Sequence, residues 1–488
     1  MRHEAAAHPL GHEHGGEFHA AGQVIGEGAQ EKGHSSLLAL EKSARGVQGL
    51  LRYIKHDISY GRNRRPPRLL PMSSETSSAG AGERDQLLRQ RALKVVPGGM
   101  TGHLNAAQLP AGYPQYFARG QGCRVWDVDG REYIDFMCSW GPNLLGHAHP
   151  QVDDAARRQQ ALGDCLNGPT ERFVELAERF VARTAHADWA LFQKNGTDAT
   201  TICLMVARAA TGKRKVLVAT KAYHGADPWC TPVPVGITAE DRAHLIYYTY
   251  NDTASLDAAV AKAGDDLAAI VCAAFKHDLG VDQELPTAAF ARHARQLCDK
   301  AGAALIVDEV RAGMRVHAGG SWETVGVRPD LCAWSKSIAN GYALAAVTGV
   351  DSLRDAATRI YATGSFWSGG VAMAASLATL DVADAQDVVG HVQAMGQRLR
   401  DGIAAQAASH GMPVRQTGPA ALPLILFEDD PAFEKGSAFT VEALRRGVYL
   451  HPRHNMFLSL AHTEADIDQA LEATDAAFAA VSRRYGSR

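Results

Sequence analysis

AALIVDEV (residues 303–310) and LCAWSK (331–336) are two short apolar runs, and each gives way to a charged residue, Asp308 in the first and Lys336 in the second. Neither alternates polar and apolar positions, as a strand with one wet face does. Both read as strands covered on two faces, the usual state in a parallel sheet between helices. ADWALFQ (187–193), KVLVAT (215–220) and AAIVCAAF (268–275) have the same character, and helical stretches such as 287–301 separate the runs. Strands and helices in alternation predict an α/β domain with a mainly parallel sheet.

Outside this core the pattern changes. RVWDVDGREYIDF (124–136) alternates about Asp129-Gly130, a hairpin signal. Beyond about 385 come helices with a few strands, LPLILFE (422–428) and GVYLHP (447–452). These segments predict a smaller α+β domain built from 86–149 and 385–488, beside a large domain over 150–384. Residues 1–85 are rich in Gly, Ala, Ser and His and weak in apolar periodicity, which predicts a disordered extension. Its His3, His8, His12, His14 and His19 read as a solvated tail, with loose metal binding as the alternative, and RNRRPPR (62–68) reads as a linker.

Composition narrows the function. The chain has 488 residues, 46% of them apolar and 21% charged, so a large buried core is within reach. Its 50 Lys+Arg against 53 Asp+Glu leave no basic excess for nucleic acid or anionic lipid. No apolar run reaches the roughly 18 residues of a spanning helix. The first residues lack the apolar stretch of a secretory signal, so the cytoplasm is the expected location. Eight scattered cysteines with no CxxC pair read as reduced, mostly buried thiols. No resident metal is expected.

Three features fall at the carboxyl ends of the predicted parallel strands, where open α/β sheets bind ligands. Asn195-Gly196-Thr197-Asp198 opens a helix whose free N–H groups suit a phosphate, with helix capping as the plainer role of Asp198. Asp308 is a carboxylate that needs a cation or a donor; a protonated ring nitrogen, a structural ion pair and a magnesium ion all qualify. Lys336 leaves an apolar strand into small residues, where desolvation turns an amine into a nucleophile for a carbonyl. A phosphate cradle, an acid for a ring nitrogen and a Schiff-base lysine are together what pyridoxal phosphate asks of a protein. Tyr223-His224-Gly225 adds an aromatic face for the ring.

The motifs SWGPNLLGHAHP (139–150), NGTDAT (195–200), AYHGADP (222–228), VDEVRAG (307–313), WSKSIANGY (334–342), TGSFWSGG (363–370) and GVYLHP…FLSLAHT (447–463) resemble, in order and spacing, the class III aminotransferases. The glutamate-1-semialdehyde aminomutase branch is the most similar, and the wording around 97–103, 137–146 and 451–463 also resembles the aminotransferases that deaminate the polyol amine fumonisin with pyruvate. The resemblance implies a pyridoxal-phosphate transferase of fold type I with a seven-stranded, mainly parallel sheet. It implies Lys336 as the cofactor lysine and proton carrier, Asp308 on the pyridine nitrogen, Val310 and Tyr223 on the two ring faces, His224 nearby, and Gly196 and Thr197 on the phosphate. Ser365 stands where the family has a residue reaching the phosphate of the neighbouring subunit, which implies a homodimer or a dimer of dimers.

The departures concern substrate. The family often carries Glu-Pro where this chain reads Ala274-Phe275-Lys276-His277. After PGG (97–99), where relatives place a carboxylate-binding arginine, His103 is the nearest polar residue, and neutral imidazole cannot copy a guanidinium fork. That points away from an amino-acid donor, and toward an aromatic-walled pocket with Trp140 and Trp367. Arg453 is the expected clamp for a keto-acid acceptor such as pyruvate. The expected activity is transfer from a bulky or long-chain primary amine to that acceptor. An intramolecular 2,1-aminomutase and a silent pyridoxal-phosphate-binding protein are the alternatives.

Overall fold

The computed structural model describes residues 81–486. The predicted extension, with its histidines and the basic run 62–68, lies outside the described residues except for its last few positions. There the expected boundary at 85 moves: the helix Glu83–Leu93 begins before it. Its Asp85 is fully buried and accepts the backbone N–H groups of Gln115 and Tyr116, which ties this helix to the folded body.

Strands β1 (Phe117–Gln121), β2 (Arg124–Asp127) and β3 (Glu132–Asp135) run antiparallel, and β2 and β3 form the predicted hairpin. Asp127 closes its turn by accepting the N–H groups of Asp129 and Arg131. The central sheet follows: β4 (Trp189–Gln193), β5 (Lys215–Ala219), β6 (Leu245–Tyr248), β7 (Leu267–Ala273), β8 (Ala304–Asp308), β9 (Leu331–Trp334) and β10 (Ala345–Gly349). Its order is β4-β10-β9-β8-β7-β5-β6, and the central ladders from β9 to β6 are all parallel. Strand β10 alone opposes its two neighbours. This is the seven-stranded, mainly parallel sheet that the sequence predicts.

The continuous apolar runs have a direct structural reason. Successive residues of β8 point to opposite faces: Ile306 joins Ala199, Cys203 and Val206 of the helix Gly196–Thr211 in one cluster. Leu305 and Val307 join Phe290, Ala294 and Cys298 of the helix Ala288–Ala301 in the other. Each such large side chain contributes about 1.5–3 kcal/mol by burial, so neither face tolerates a polar alternate. Two further strands, β11 (Val414–Thr417) and β12 (Leu424–Phe427), pair antiparallel. The short β13 (Val448–Tyr449) adds in parallel to β3, so one sheet, β1-β2-β3-β13, draws on both ends of the folded chain.

Candidate active site

Parallel strands bring their carboxyl ends to one edge, and a cavity of about 360 Å³ opens there. Asp308, Val310, Lys336, Gly196, Thr197, Tyr223 and His224, seven of the residues expected from the sequence, line it together.

Asp308 ends β8 and is buried. Its Oδ1 accepts the N–H of Val310 at 3.0 Å, and its Oδ2 lies 2.7 Å from Nδ1 of His224. The other ring nitrogen of His224 is buried with no partner among the described residues. His224 thus acts through Asp308, as its positioning residue.

Lys336 lies two residues past β9, at a left-handed φ of 54°. Its Nζ donates to the carbonyl of Trp140 at 2.9 Å. Burial, reinforced by Arg311 and Arg315, lowers its pKa to about 7 against the opposing pull of Asp308. An amine so placed spends much of its time uncharged near neutral pH and is a competent nucleophile.

The third feature is the start of the helix Gly196–Thr211. Asp198 accepts the N–H of Asn195 at 2.9 Å, so its first role is the cap. The close packing here requires glycine: a Cβ on Gly196 would sit 2.7 Å from Cγ1 of Val310, and one on Gly225, at φ +133°, would sit 2.5 Å from Oγ1 of Thr197. That Thr197 hydroxyl accepts the N–H of Ala226. Lys194 also lines this end, its pKa lowered by burial. A helix N-terminus with an ammonium beside it fits a phosphate, Asp308 fits a ring nitrogen and Lys336 an aldehyde. The residues present therefore fit pyridoxal phosphate.

Residues 110–478 match the aminotransferase class-III family. The chain belongs to it. This class-III aminotransferase is 49% identical over 406 residues to the aminopentol aminotransferase of Sphingopyxis macrogoltabida, a match covering 83% of this chain and 96% of that one. It is 32% identical over 406 residues to the 3-aminobutyryl-CoA aminotransferase of Cloacimonas acidaminovorans, covering 82% and 98% of the two chains. The solved FumI protein of Sphingopyxis sp. MTA144, in its pyridoxal-phosphate internal aldimine form, aligns with a TM-score of 0.82 at 49% identity, over 83% of this chain and 98% of that one. An omega-transaminase from Sphaerobacter thermophilus aligns at 0.74 with 26% identity, covering 82% and 98%.

None of the four expected substrate residues, Trp140, His103, Trp367 and Arg453, lines the cavity. The indole of Trp140 packs edge-on against His103 at 4.8 Å, His454 at 4.9 Å and His451 at 5.5 Å, above Lys336. These imidazoles are neutral: burial takes His451 down to about 3 and His454 well below its ordinary range, and His103 is lowered by burial and by Lys336. Trp367 does not line the cavity of its own chain. It packs beside the apolar cluster under the helix Gly196–Thr211, folded back on Gly364. Ser365 is exposed on the same segment and is likewise absent from the cavity lining. Arg453 does not line it either, and its Nη2 lies 3.4 Å from the carbonyl of Gln108.

Sequence reasoning passed over Lys194 and Arg311, both in the lining. Arg311 was in plain view in VDEVRAG, three residues after Asp308. His277 also faces the cavity, its Nδ1 buried without a partner among the described residues. It stands in the stretch that departs from the family, and burial keeps it neutral.

Proposed function

We propose that this class-III aminotransferase moves an amino group from a bulky or long-chain primary amine, of the aminopentol kind, to a 2-oxo acid such as pyruvate. The cofactor is pyridoxal phosphate. When bound, it supplies an aldehyde carbon that takes up the amino group and a ring that draws electrons from the substrate carbon.

The residues divide the work. The helix N-terminus at Gly196 and Thr197, with Lys194, holds the phosphate. Asp308, fixed by His224, holds the ring nitrogen, and Val310 and Tyr223 flank the ring. Lys336 Nζ would hold the aldehyde carbon and, once free, would carry a proton away from the substrate carbon. Trp140 and the neutral His103, His451 and His454 form an uncharged cluster joined to Lys336 through the Trp140 carbonyl, which supports a donor without a carboxylate. The name of the 49% identical Sphingopyxis relative supports the aminopentol class of donor.

We read 150–384 as the cofactor-binding domain, 86–149 with 385–488 as the smaller domain, and 1–85 as an extension apart from the helix start at Glu83. We also read the enzyme as a homodimer in the cytoplasm, with Ser365 and Trp367 presented to the partner's site. Two observations support the dimer reading: Ser365 and Phe366 are exposed, and neither Ser365 nor Trp367 serves its own cavity. Among the described residues no helix is long and apolar enough to cross a membrane.

The observation that carries the reading is Lys336, an amine of lowered pKa in one cavity with a buried acid and a helix N-terminus. The test is a donor panel with pyruvate: long-chain amines, aryl amines and amino acids, read as alanine formed. Long-chain amines lead the panel, the carbonyl product stops at one equivalent per active site unless acceptor is present, and Lys336→Ala forms no alanine. Amino acids leading the panel, or turnover by the alanine variant, overturns the reading.

A further inference from the structure

We propose that Arg311 is the residue that binds the carboxylate of the amino acceptor. This inference rests on the aminotransferase reading above, in which the donor is an amine and the acceptor a 2-oxo acid.

Arg311 follows Asp308 by three residues, in the turn after β8, and lines the cavity. Its hydrogen bonds are two, both from Nη1: to Oδ1 of Asn455, and to Nε2 of His454 at 3.0 Å. Both partners are neutral. Burial keeps His454 unprotonated, so its Nε2 accepts. No carboxylate among the described residues lies within ion-pair distance of the guanidinium. Nε and Nη2 make no hydrogen bond, yet neither is a sealed orphan. They form one edge of the planar group, and that edge is the fork that takes both oxygens of a carboxylate.

A buried cation without an anion is costly, and Arg311 shows it. Burial lowers its pKa to about 10, and Asp308, Tyr223 and Asp278 restore only part of the loss. It remains charged at neutral pH. Asp308 is not its partner, since neither of its oxygens lies within ion-pair distance of the guanidinium. The cofactor's phosphate is not its partner either, since that group is served at the Gly196 and Lys194 end.

Arg311 stands on the Lys336 side: its partner His454 packs on Trp140, whose carbonyl accepts the hydrogen bond of Lys336 Nζ. The anion that completes it there is one that arrives with substrate. An amine donor brings none, and a 2-oxo acid brings one. Because His454 and Asn455 hold Nη1 in place, the fork is ready without a swing, and a carboxylate-free donor leaves it as it is. Arg453 is held outside the lining and has no part in this.

The experiment uses the holoenzyme and three variants, Arg311→Gln, Arg311→Lys and Arg453→Ala. Steady-state constants are measured for a long-chain amine with pyruvate, and again with propanal, an acceptor without a carboxylate. Loss of a charged two-point hydrogen bond predicts a rise of about thirtyfold or more in KM for pyruvate with the Gln variant. The Lys variant falls between. The donor KM, the propanal KM and the visible absorbance of the bound cofactor stay within about threefold or unshifted, and Arg453→Ala keeps its pyruvate KM. An equal loss with propanal, an altered cofactor spectrum, or an unchanged pyruvate KM in the Gln variant overturns the assignment. A wild-type enzyme that forms no alanine from any amine fails the aminotransferase reading itself, which separates the two.

Discussion

Nδ1 of His224 meets Oδ2 of Asp308 at 2.7 Å, with the imidazole fully out of contact with solvent. Facing a carboxylate, which only accepts, that ring nitrogen is the donor. The acid is held in one orientation at the end of its strand, where the cofactor's ring nitrogen is expected. Removing the histidine frees that orientation while leaving Lys336 and the Gly196 helix start in place.

For His224→Ala we expect kcat to fall about tenfold to a hundredfold, the range for one lost buried hydrogen bond to a charged group. The variant retains its cofactor by absorbance. His224→Asn, which keeps an N–H donor, recovers part of the rate. An alanine variant with wild-type kcat would remove the positioning role.

The lowered pKa of Lys336 predicts a pH profile. A lysine lowered to about 7 is mostly ammonium below that pH and mostly free amine above it. Only the free amine attacks an aldehyde. Capture of added pyridoxal phosphate by the apoprotein, followed by stopped-flow absorbance, accelerates as pH rises toward about 7 and levels off above. An ordinary lysine would still be gaining at pH 9, so a continued climb there contradicts the lowered value.

Gly225 gives a stability test. A methyl at its Cα meets Thr197 Oγ1 at 2.5 Å and Cα at 3.0 Å, on a backbone at φ +133°. Gly225→Ala is expected to cost about 1–3 kcal/mol, read by thermal melting, and to weaken retention of pyridoxal phosphate on dialysis. Gly302→Ala is the control: it also has a positive φ but open space around it. It should cost less and leave cofactor retention alone.

How far the sequence was readable depends on the range of the interaction. Asp308 and Lys336 stood out because each ends an apolar strand, a local contrast in a run of a few residues. The sheet was readable for the same reason, since strands packed on two faces have no polar beat. Arg311 was equally visible in print, but its meaning lies in what surrounds it. Nothing in VDEVRAG says that Asn455 and His454 come back to hold one of its nitrogens while another edge stays bare. Arg453 shows the converse: its attractive neighbourhood in HPRHNMF gave no hint that Gln108, far off in sequence, would turn it aside. Trp367 is hard to read for a similar reason, because an aromatic beside glycines looks alike whether it faces its own cavity, faces a partner's or folds back against Gly364.

The lone opposed strand, β10, has a consequence for how this enzyme tolerates change. The segment 337–344 runs straight from Lys336 into β10, whose Ala346 pairs with Trp334 of β9. The lysine is thus clasped between two directly laddered neighbours. The parallel strands β5, β7 and β8 reach the same rim and depart through longer excursions before rejoining the sheet. Residues on those excursions, Tyr223, His277 and Arg311 among them, sit on the more adjustable half of the rim. New appetites can be acquired there while the covalent anchor keeps its station.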